Sequence, residues 1–425
     1  MTEFKEFEDY VKEFQEGYVS VFRDKDKLSL AYVPERLVHR DVEERYFARI
    51  LVGIKEGYLP PMVRVFGRPG TGKTVVVRYI LERFRENLGE GFDYFYVNLK
   101  GCRTVSSAAN AILSAICGRR VPHNLGVDRT FNEIWSELRA LKKPSGKLLV
   151  VLVLDEVDAI FLDKHFDPSD FFYRFLRHQT FLRDPDIKVS LFTIANSQGV
   201  LEDLDERVKS SMGSEATFFR NYSKGELRDI LEMRAEEAFR PGVLGDKVID
   251  LIADSVSKEY GDARRAVDLL RASGEIASEA GAPVVGKEHV KMARGRVGRD
   301  WLKAIVKDLP KRNQMILLHV AWLLRHRERV TVRKAYAGYR RGSKLAKRSY
   351  VKERRFLDVI NELDMLGILD TRTISRGRYG RSKVISLRAN PHELLDVLAK
   401  AGWGWRSLKP LPNLRRLLSS FRSQF

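Results

Sequence analysis

The sequence is poor in cysteine and has no long apolar run. Its 425 residues include two cysteines, Cys102 and Cys117, without a CxxC pair, so no disulfide framework or cysteine zinc site is predicted and a reducing compartment is expected. The most apolar runs, Leu148–Leu154 and Met315–Leu324, are shorter than the roughly 18–20 residues of a membrane-spanning helix. The polar, acidic N-terminus, MTEFKEFEDY, does not resemble a signal peptide. We therefore expect a soluble cytoplasmic protein with no membrane partner.

Positive charge is concentrated at one end of the sequence. The formal net charge is +19, and the residues from Lys311 onward include 27 Lys and Arg against 8 Asp and Glu. The first 310 residues hold 49 charges of each sign. A neutral body with a basic last third predicts that this third binds a polyanion, with nucleic acid as the first hypothesis and an anionic membrane surface as the second.

The chain is long enough for two or three domains, and its patterns change along its length. Up to residue 217, short apolar segments alternate with helical spacing, which predicts an α/β domain with a doubly wound parallel sheet. Residues 218–297 have helical spacing only and predict a small helical domain, and residues 298–425 form the basic third. The predicted strands are Met62–Phe66, Tyr94–Leu99, Leu148–Leu154 and Val189–Ala195.

A glycine-rich segment between a predicted strand and a predicted helix fits the pattern GxxxxGK[ST]. Its glycines allow backbone N–H groups to turn toward phosphates, and the following helix adds a favourable dipole. The alternative is a glycine-rich turn that matches the pattern by chance. A second motif downstream argues against that alternative. We expect Lys73 to pair with the phosphates of ATP or ADP and Thr74 to hold Mg²⁺. The predicted nucleotide-binding residues are Gly67, Arg68, Pro69, Gly70, Thr71, Gly72, Lys73, Thr74 and Val75.

Three polar residues follow two buried strands. Asp155 and Glu156 end the run Leu148–Leu154, and Asn196 ends the run Val189–Ala195. Asp155 is expected to hold Mg²⁺ beside Thr74, and Glu156 to polarise the attacking water. Asn196 would orient that water at the carboxyl edge of the sheet. Acids after a strand also cap helices, and Asn also forms turns, but the glycine loop favours an active site.

The basic third has the pattern of a winged helix. Helical spacing over Leu309–Arg325, Thr331–Arg340 and Ser349–Leu366 is followed by two strand-like segments with a glycine-rich turn between them. The third helix is expected in the major groove and the hairpin near the backbone or minor groove. A solvated, heat-adapted surface is the alternative. The candidate DNA-binding residues are Arg348, Tyr350, Lys352, Arg354, Arg376, Arg378, Tyr379, Arg381 and Lys383.

Taken together, these motifs resemble those of the AAA+ ATPases, with Walker A, Walker B, sensor 1 and, at Gly261-Asp-Ala-Arg264, sensor 2. More narrowly, the chain resembles the archaeal origin recognition complex and cell division control protein 6 family of replication initiators. The stretches that carry the resemblance are Tyr32–Asp41, Tyr96–Asn98, Leu154–Asp158, Phe218–Tyr222, Leu227–Phe239 and Gly261–Ala266. The resemblance implies an AAA+ P-loop core, a helical lid and a C-terminal winged helix.

Further site residues follow from this resemblance. It implies that Tyr32–Asp41 lies against the adenine, that Tyr222 and Arg234 contact the nucleotide, and that Arg264 senses the γ-phosphate; surface charge is an equal alternative for Arg264. An inserted helix over His165–Arg177 would touch the DNA minor groove, with Arg174 and Arg177 as candidates against a solvated helix face. Ser210-Ser211 stands where eukaryotic relatives often have Ser-Arg, which leaves Arg207 as the candidate arginine finger.

The resulting hypothesis is a replication initiator. It would bind double-stranded origin DNA, use ATP with weak turnover as a switch, recruit the replicative helicase and meet a second initiator paralogue on chromosomal DNA. Two alternatives stay open. One is an ATP-dependent helix-turn-helix regulator or signalling ATPase, which would lack the inserted helix, and the other is a DNA motor or clamp loader, which would need rapid turnover.

Overall fold

The computed structural model describes residues 18–29, 32–102, 104–121, 126–142, 146–162, 166–177, 184–196, 198–258, 261–325, 327–345, 348–375 and 381–403. The chain forms two compact units. The P-loop unit comprises Arg23–Phe239 and Ile249–Val267, and the winged-helix unit comprises the remaining residues. The division falls inside the predicted helical domain at 218–297. No helix in the described ranges is both long and apolar enough to span a bilayer.

The P-loop unit is built on a five-stranded parallel sheet in the order β2-β3-β4-β1-β5. Its strands are β1 (Met62–Gly67), β2 (Phe92–Asn98), β3 (Leu148–Asp155), β4 (Ile187–Ala195) and β5 (Ala216–Phe219). Strand β3 lies inside the sheet and is a continuous apolar run, because neighbours cover both its edges and both its faces. The four predicted strands are confirmed. Strand β5 was not predicted, since four residues with partly exposed positions give no clear period.

Helices cover both faces of this sheet and make two apolar cores. One face packs against α1 (Asp41–Lys55) and α2 (Lys73–Leu88). The other packs against α3 (Val105–Cys117), α4 (Val127–Leu141) and α5 (Pro168–Leu176). The carboxyl ends of β1, β3 and β4 meet at one edge, where Asp155 is in register with Asn98 on β2 and Ile194 on β4. That edge positions the candidate site.

From the end of β5 to residue 308 the fold is helical, as predicted for residues 218–297. After the short α6 (Glu206–Ser211), the helices are α7 (Lys224–Ala238), α8 (Val248–Ser257), α9 (Ala263–Glu279) and α10 (Lys287–Asp308). Helix α7 begins at a capping box in which Ser223 and Glu226 exchange hydrogen bonds. Helix α10 continues through residues 297 and 298, where the sequence suggested a domain boundary.

The winged-helix unit contains the predicted three helices and hairpin, with additions. Helices α11 (Lys311–Leu324), α12 (Val332–Leu345) and α13 (Glu353–Met365) precede strands β7 (Leu369–Ser375) and β8 (Arg381–Leu387). Strand β6 (Val330–Thr331) pairs with β8, which makes a three-stranded antiparallel sheet, and α14 (Pro391–Lys400) packs against α11. The sequence analysis missed β6 and α14. The core is centred on α11, which is buried on nearly all sides.

One helix boundary in this unit corrects the prediction. The third helix begins at Glu353 and not at Ser349. The backbone N–H of Val351 donates to the hydroxyl of Tyr339, and the carbonyl oxygen of Val351 accepts from Tyr336, each at 3.2 Å. Because these hydroxyls occupy the polar backbone groups of Val351, the segment before Glu353 is held as a loop. Helix α12 also extends to Leu345, beyond the predicted end at Arg340.

Candidate functional site

The glycine loop leaves the end of β1 in a conformation that depends on its glycines. Gly67, Gly70 and Gly72 have φ angles of 154°, 76° and 87°, in the region that favours glycine. A Cβ on Gly67 would lie 2.7 Å from the carbonyl oxygen of Phe219, and one on Gly72 would lie 2.6 Å from the hydroxyl of Tyr222. Helix α2 begins at Lys73, so its N-terminus faces the loop as a phosphate site requires.

Thr74 and Asp155 come together at the carboxyl edge of the sheet. The hydroxyl of Thr74 donates to Oδ2 of Asp155 at 2.7 Å. The hydroxyl of Tyr96, on β2, donates to the same oxygen at 2.7 Å, and the backbone N–H of Glu156 donates to Oδ1 at 2.8 Å. Asp155 is 4% exposed. The two residues predicted as Mg²⁺ ligands therefore present adjacent oxygen atoms, and Tyr96 orients the carboxylate.

Lys73 is buried, and its ammonium group bonds to the loop that precedes it. Nζ donates to the carbonyl oxygens of Gly67 and Arg68, the latter at 2.9 Å, and to Oδ1 of Asn196 at 3.3 Å. Burial lowers the pKa of Lys73 to about 8, against the opposing charge of Asp155. The predicted Asn196 thus lies beside the predicted phosphate ligand.

Glu156 and Asp158 extend the acidic edge of the site. Glu156 has a φ of 54°, which is uncommon for a residue with a side chain. Burial raises the pKa of Glu156, and the charges of Lys100 and Arg264 oppose that rise. Asp158 accepts from the backbone N–H of Asn196 at 3.1 Å. The tips of β3 and β4 are therefore joined by a hydrogen bond, which fixes Glu156 and Asn196 relative to one another.

A cavity of about 440 Å³ lies next to the glycine loop. Gly70, Gly72, Thr74, Asp155 and Glu156 line its polar part. Apolar side chains from the segment before α1, from α7 and from the start of α9 line the rest, namely Tyr32, Val33, Leu37, Val38, Ile230, Met233 and Val267. A polar end beside an apolar end is the arrangement that a nucleotide needs, with phosphates at one end and a base at the other.

Tyr222 and Arg234 also line this cavity. The hydroxyl of Tyr222 lies beside Gly72. Arg234 is 7% exposed, its Nη1 donates to the carbonyl oxygen of Lys27 at 3.1 Å, and its guanidinium lies 4.5 Å from the ring centre of Tyr32. Its buried Nε has no hydrogen-bond partner among the described residues. Such a buried donor in a cavity wall fits a polar ligand.

The start of α9 rests on the glycine loop. The N–H of Ala263 donates to the carbonyl oxygen of Gly70 at 3.1 Å. A Cβ on Gly70 would collide with the carboxylate of Asp262, and one on Gly261 would lie 2.0 Å from the carbonyl oxygen of Tyr222. This close approach places Arg264 on the cavity wall, where its charge lowers the pKa of both Lys73 and Glu156 after the larger effects of burial.

A buried arginine that the sequence analysis did not single out holds the other side of the loop. Arg40 is 2% exposed. Its Nη2 donates to the carbonyl oxygen of Thr71, its Nη1 to Glu43 at 2.8 Å and its Nε to the hydroxyl of Tyr222 at 2.9 Å. Its guanidinium carbon lies 4.0 Å from the ring centre of Tyr222. The sequence signals for it were its place in the Tyr32–Asp41 stretch and the Arg40–Glu43 spacing at the start of α1.

The inserted segment contains a helix, α5, with aromatic anchors. Phe171 and Phe175 pack against Phe131 of α4, with ring centres 6.0 and 5.2 Å apart. Arg174 pairs with Asp128 at 2.6 Å, whereas Arg177 is exposed. Arg207, the candidate finger, pairs with Asp205 at 2.6 Å. Arg174 and Arg207 therefore already have local carboxylate partners.

The candidate DNA-binding residues of the basic third are distributed differently from the prediction. Arg354 lies in the first turn of α13, Lys352 caps that helix, and Arg348 and Tyr350 lie in the preceding loop. The guanidinium of Arg348 lies 5.0 Å from the ring centre of Trp403, and Lys383 on β8 donates to Asn361 of α13. Arg376, Arg378 and Tyr379 lie outside the described residues. Arg381 begins β8, and its side chain is not described.

Comparison with known proteins agrees with this architecture. The chain matches family models described as an AAA domain over residues 59–198, a Cdc6 AAA+ ATPase-type lid domain over 228–295 and a CDC6 C-terminal winged helix domain over 304–397. It is 39% identical to ORC1-type DNA replication protein 1 of Aeropyrum pernix over 384 residues, which cover 89% of this chain and 95% of the relative. The chain belongs to the family of archaeal ORC1-type DNA replication proteins.

A second ORC1-type relative and a solved ORC1 structure also match this chain. The Pyrococcus horikoshii ORC1-type protein is 34% identical, with 89% of this chain and 90% of the relative covered. The solved structure of the Aeropyrum pernix ORC1 protein in complex with DNA matches with a TM-score of 0.69 and 38% identity, over 91% of this chain and 98% of that one. The predicted fold class and family are thereby confirmed, and the AAA domain implies nucleotide binding. The roles of individual residues stay predictions.

Proposed function

We propose that this protein is a DNA replication initiator that binds double-stranded origin DNA, with ATP and ADP setting its state. The observation that carries the proposal is the presence, in one chain of the ORC1-type family, of a formed phosphate loop and a basic winged helix. The Aeropyrum pernix ORC1 protein, 38% identical, has been solved in complex with DNA. DNA binding by a relative of this similarity favours the same partner for this chain.

The cavity fits a nucleotide with a magnesium ion. The glycine backbone and the N-terminus of α2 would hold the phosphates, with Lys73 turning from the loop carbonyls toward them. Thr74 and Asp155 already present oxygen atoms side by side, and oxygen donors are the ligands that Mg²⁺ prefers. Bound Mg²⁺ would supply positive charge at the phosphates. The apolar end, near Tyr32 and Ile230, would take the base.

The arrangement favours slow hydrolysis. Glu156 would accept a proton from water, Asn196 would orient that water, and Arg264 would sense the γ-phosphate. Arg207 forms a salt bridge with Asp205, and the residue directly after Ser210 is Ser211 and not arginine. A chain whose candidate arginine finger is paired with its own carboxylate is better suited to a switch than to a motor, because an arginine finger contributes about 10³–10⁵ to turnover in related phosphoryl-transfer enzymes.

Recruitment of the replicative helicase and cooperation with a second initiator paralogue belong to the same proposal. They rest on the family resemblance, in which initiators of this kind act on origin DNA. Whether ATP or ADP is bound would determine whether the protein holds the duplex in a form that its partners recognise. The alternative of a helix-turn-helix regulator is less well supported, because the inserted helix α5 is present.

The test is binding of the full chain to a labelled duplex from the organism's own origin and to a scrambled duplex of equal length. Both titrations run across salt, with ATP, ADP or neither. We expect tighter binding to the origin duplex, loss of affinity with salt, and a nucleotide-dependent change. Equal affinity for both duplexes would point to a general clamp or motor, and absence of binding would contradict the proposal.

A further inference from the structure

Helix α12 has one exposed face made almost entirely of basic side chains. Arg333, Arg340, Arg341 and Lys344 are exposed, and their spacing places them on one side of a helix with 3.6 residues per turn. The opposite side is buried through Ala335 and Tyr339. Gly338 lies so close to α11 that an added Cβ would meet Leu323 at 2.9 Å. Tight packing of one side thus holds the basic side outward.

In the part of the chain that the structure describes, no acidic side chain pairs with the arginines of this face. Helix α12 contains five basic residues and no acidic one. Among the residues that the structure describes, Arg333, Arg340 and Arg341 take part in no ion pair. Like charges on one helix face repel each other and destabilise the helix. Anions from a partner would relieve this repulsion, and the regular spacing suits a partner that carries many of them.

The loop after α12 extends the same surface. It is fixed to α12 by the hydrogen bonds between Val351 and the hydroxyls of Tyr336 and Tyr339. Lys344 lies 5.8 Å from the ring centre of the exposed Tyr350. The rings of Tyr339, on α12, and Phe356, in α13, stack 5.4 Å apart and hold the two helices together at either end of this loop. We call Arg333, Arg340, Arg341, Lys344, Arg348 and Lys352 the basic strip.

Helix α13 has the opposite charge balance. Its 13 residues include Arg354 and Arg355 against four acids, Glu353, Asp358, Glu362 and Asp364. Arg355 lies 4.0 Å from Asp358. A helix of this composition is poorly suited to neutralise a line of phosphates. The sequence predicted DNA contacts on this helix and the hairpin. Among the described residues, α12 and the loop after it carry six exposed basic side chains, whereas α13 carries two.

We propose that the basic strip binds the phosphodiester backbone of the duplex and supplies salt-dependent affinity without sequence discrimination. This inference rests on the proposed function, because it assigns a surface for that same duplex. Contacts to phosphates fix register and orientation, whereas contacts to base edges carry specificity. The strip is therefore an anchor, separate from whatever side chains read the origin sequence.

The test compares three full-length variants with the wild type on origin and scrambled duplexes across salt. The strip variant carries Arg333→Gln, Arg340→Gln, Arg341→Gln and Lys344→Gln. A charge-matched control carries Lys287→Gln, Lys291→Gln, Lys303→Gln and Lys307→Gln, which are exposed residues of α10. A third variant carries Arg333→Lys, Arg340→Lys and Arg341→Lys and keeps the charge. Circular dichroism checks that each variant is folded.

For the strip variant we expect the slope of log K against log salt to fall by about 2–4 and the affinity at low salt to fall by about tenfold or more. The ratio of origin to scrambled affinity should stay within about threefold, since phosphate contacts do not read sequence. The α10 control and the lysine variant should keep the wild-type slope. This pattern would support the anchor.

Three results would overturn it. An equal loss of duplex affinity in the strip variant and the α10 control would mean that binding depends on net charge and not on the position of the charges. An unchanged slope in the strip variant would mean that the duplex does not touch this face. Loss of the salt-dependence slope in the lysine variant, which keeps its positive charge, would mean that charge is not the cause of the salt-dependent affinity. If the wild type bound neither duplex, the proposed function itself would be contradicted. The wild-type titration alone gives that result, before any variant is compared.

Discussion

The buried Arg40 donates a hydrogen bond to the hydroxyl of Tyr222, 2.9 Å away, on the side of the glycine loop where Gly72 lies. The same guanidinium bonds to the carbonyl oxygen of Thr71 and to Glu43. One side chain thus joins the start of α1, the phosphate loop and the segment after β5. Arg40 is a positioning residue, since it acts through the backbone of the loop.

Replacing Arg40 by Ala should weaken nucleotide binding and destabilise the protein by about 3–5 kcal/mol, because Glu43 is then left buried without its partner. The double variant Arg40→Ala/Glu43→Ala should be no less stable than Arg40→Ala alone. Urea unfolding and binding of a fluorescent ATP analogue measure the two effects. Arg45→Ala, exposed on the same helix, should change neither. Full nucleotide affinity in Arg40→Ala would contradict the positioning role.

Lys73 should reduce the stability of the nucleotide-free protein at neutral pH. Its folded-state pKa, about 8, lies below the ordinary lysine value of 10.5, so the unfolded chain binds more protons between these values and stability rises with pH there. Lys73→Met should therefore raise the free energy of unfolding at pH 7 by up to about 3 kcal/mol, while abolishing nucleotide binding.

Urea unfolding of wild type and Lys73→Met at pH 7 and near pH 10 measures this difference. The advantage of the variant should shrink through this window as the wild-type amine loses its proton. Lys55→Met, a change at an exposed position on α1, serves as the control. Its free energy of unfolding should differ from that of wild type by the same amount at both pH values. A variant less stable than wild type at pH 7 would show that the bonds of Lys73 to the loop outweigh its burial.

Glu156→Gln should slow ATP hydrolysis by about 10²–10⁴-fold, as expected on loss of a general base, and leave ATP affinity nearly unchanged. Burial raises the pKa of Glu156 above the ordinary glutamate value of 4.5. The wild-type rate should therefore begin to fall at a pH above 4.5 as the carboxylate takes up a proton. Phosphate release against pH, with separate measurement of ATP binding, tests both points. A wild-type rate in Glu156→Gln would remove Glu156 from the reaction.

Gly72→Ala should be destabilising for two separable reasons. The φ of 87° costs a residue with a side chain about 1–2 kcal/mol, and the new Cβ would lie 2.6 Å from the hydroxyl of Tyr222. Removing that hydroxyl in Gly72→Ala/Tyr222→Phe should restore part of the stability and leave the backbone cost. Thermal unfolding of the two single variants and the double variant measures the coupling. Additive losses would show that the loop moves to avoid the contact.

Several features were predictable because they depend on neighbours in sequence. The apolar run of β3 predicts a strand buried on both faces, and the glycine spacing at 67–74 predicts the phosphate loop. The polar residues that end β3 and β4 predict a site because parallel strands finish at one edge. The concentration of charge after Lys311 predicts a polyanion-binding third.

Other features depend on contacts between distant residues and could not be read in advance. Arg40 and Tyr222 are 182 positions apart, and a lone arginine before a helix gives no sign that it is buried. The loop at 348–352 resembles the start of a helix until the hydroxyls of Tyr336 and Tyr339 occupy its backbone groups. The sequence alone determined which chemistry the chain carries, since motifs are local. Only the tertiary structure decided which side chains hold that chemistry in place and which helix face carries uncompensated charge, because burial and pairing are set by packing.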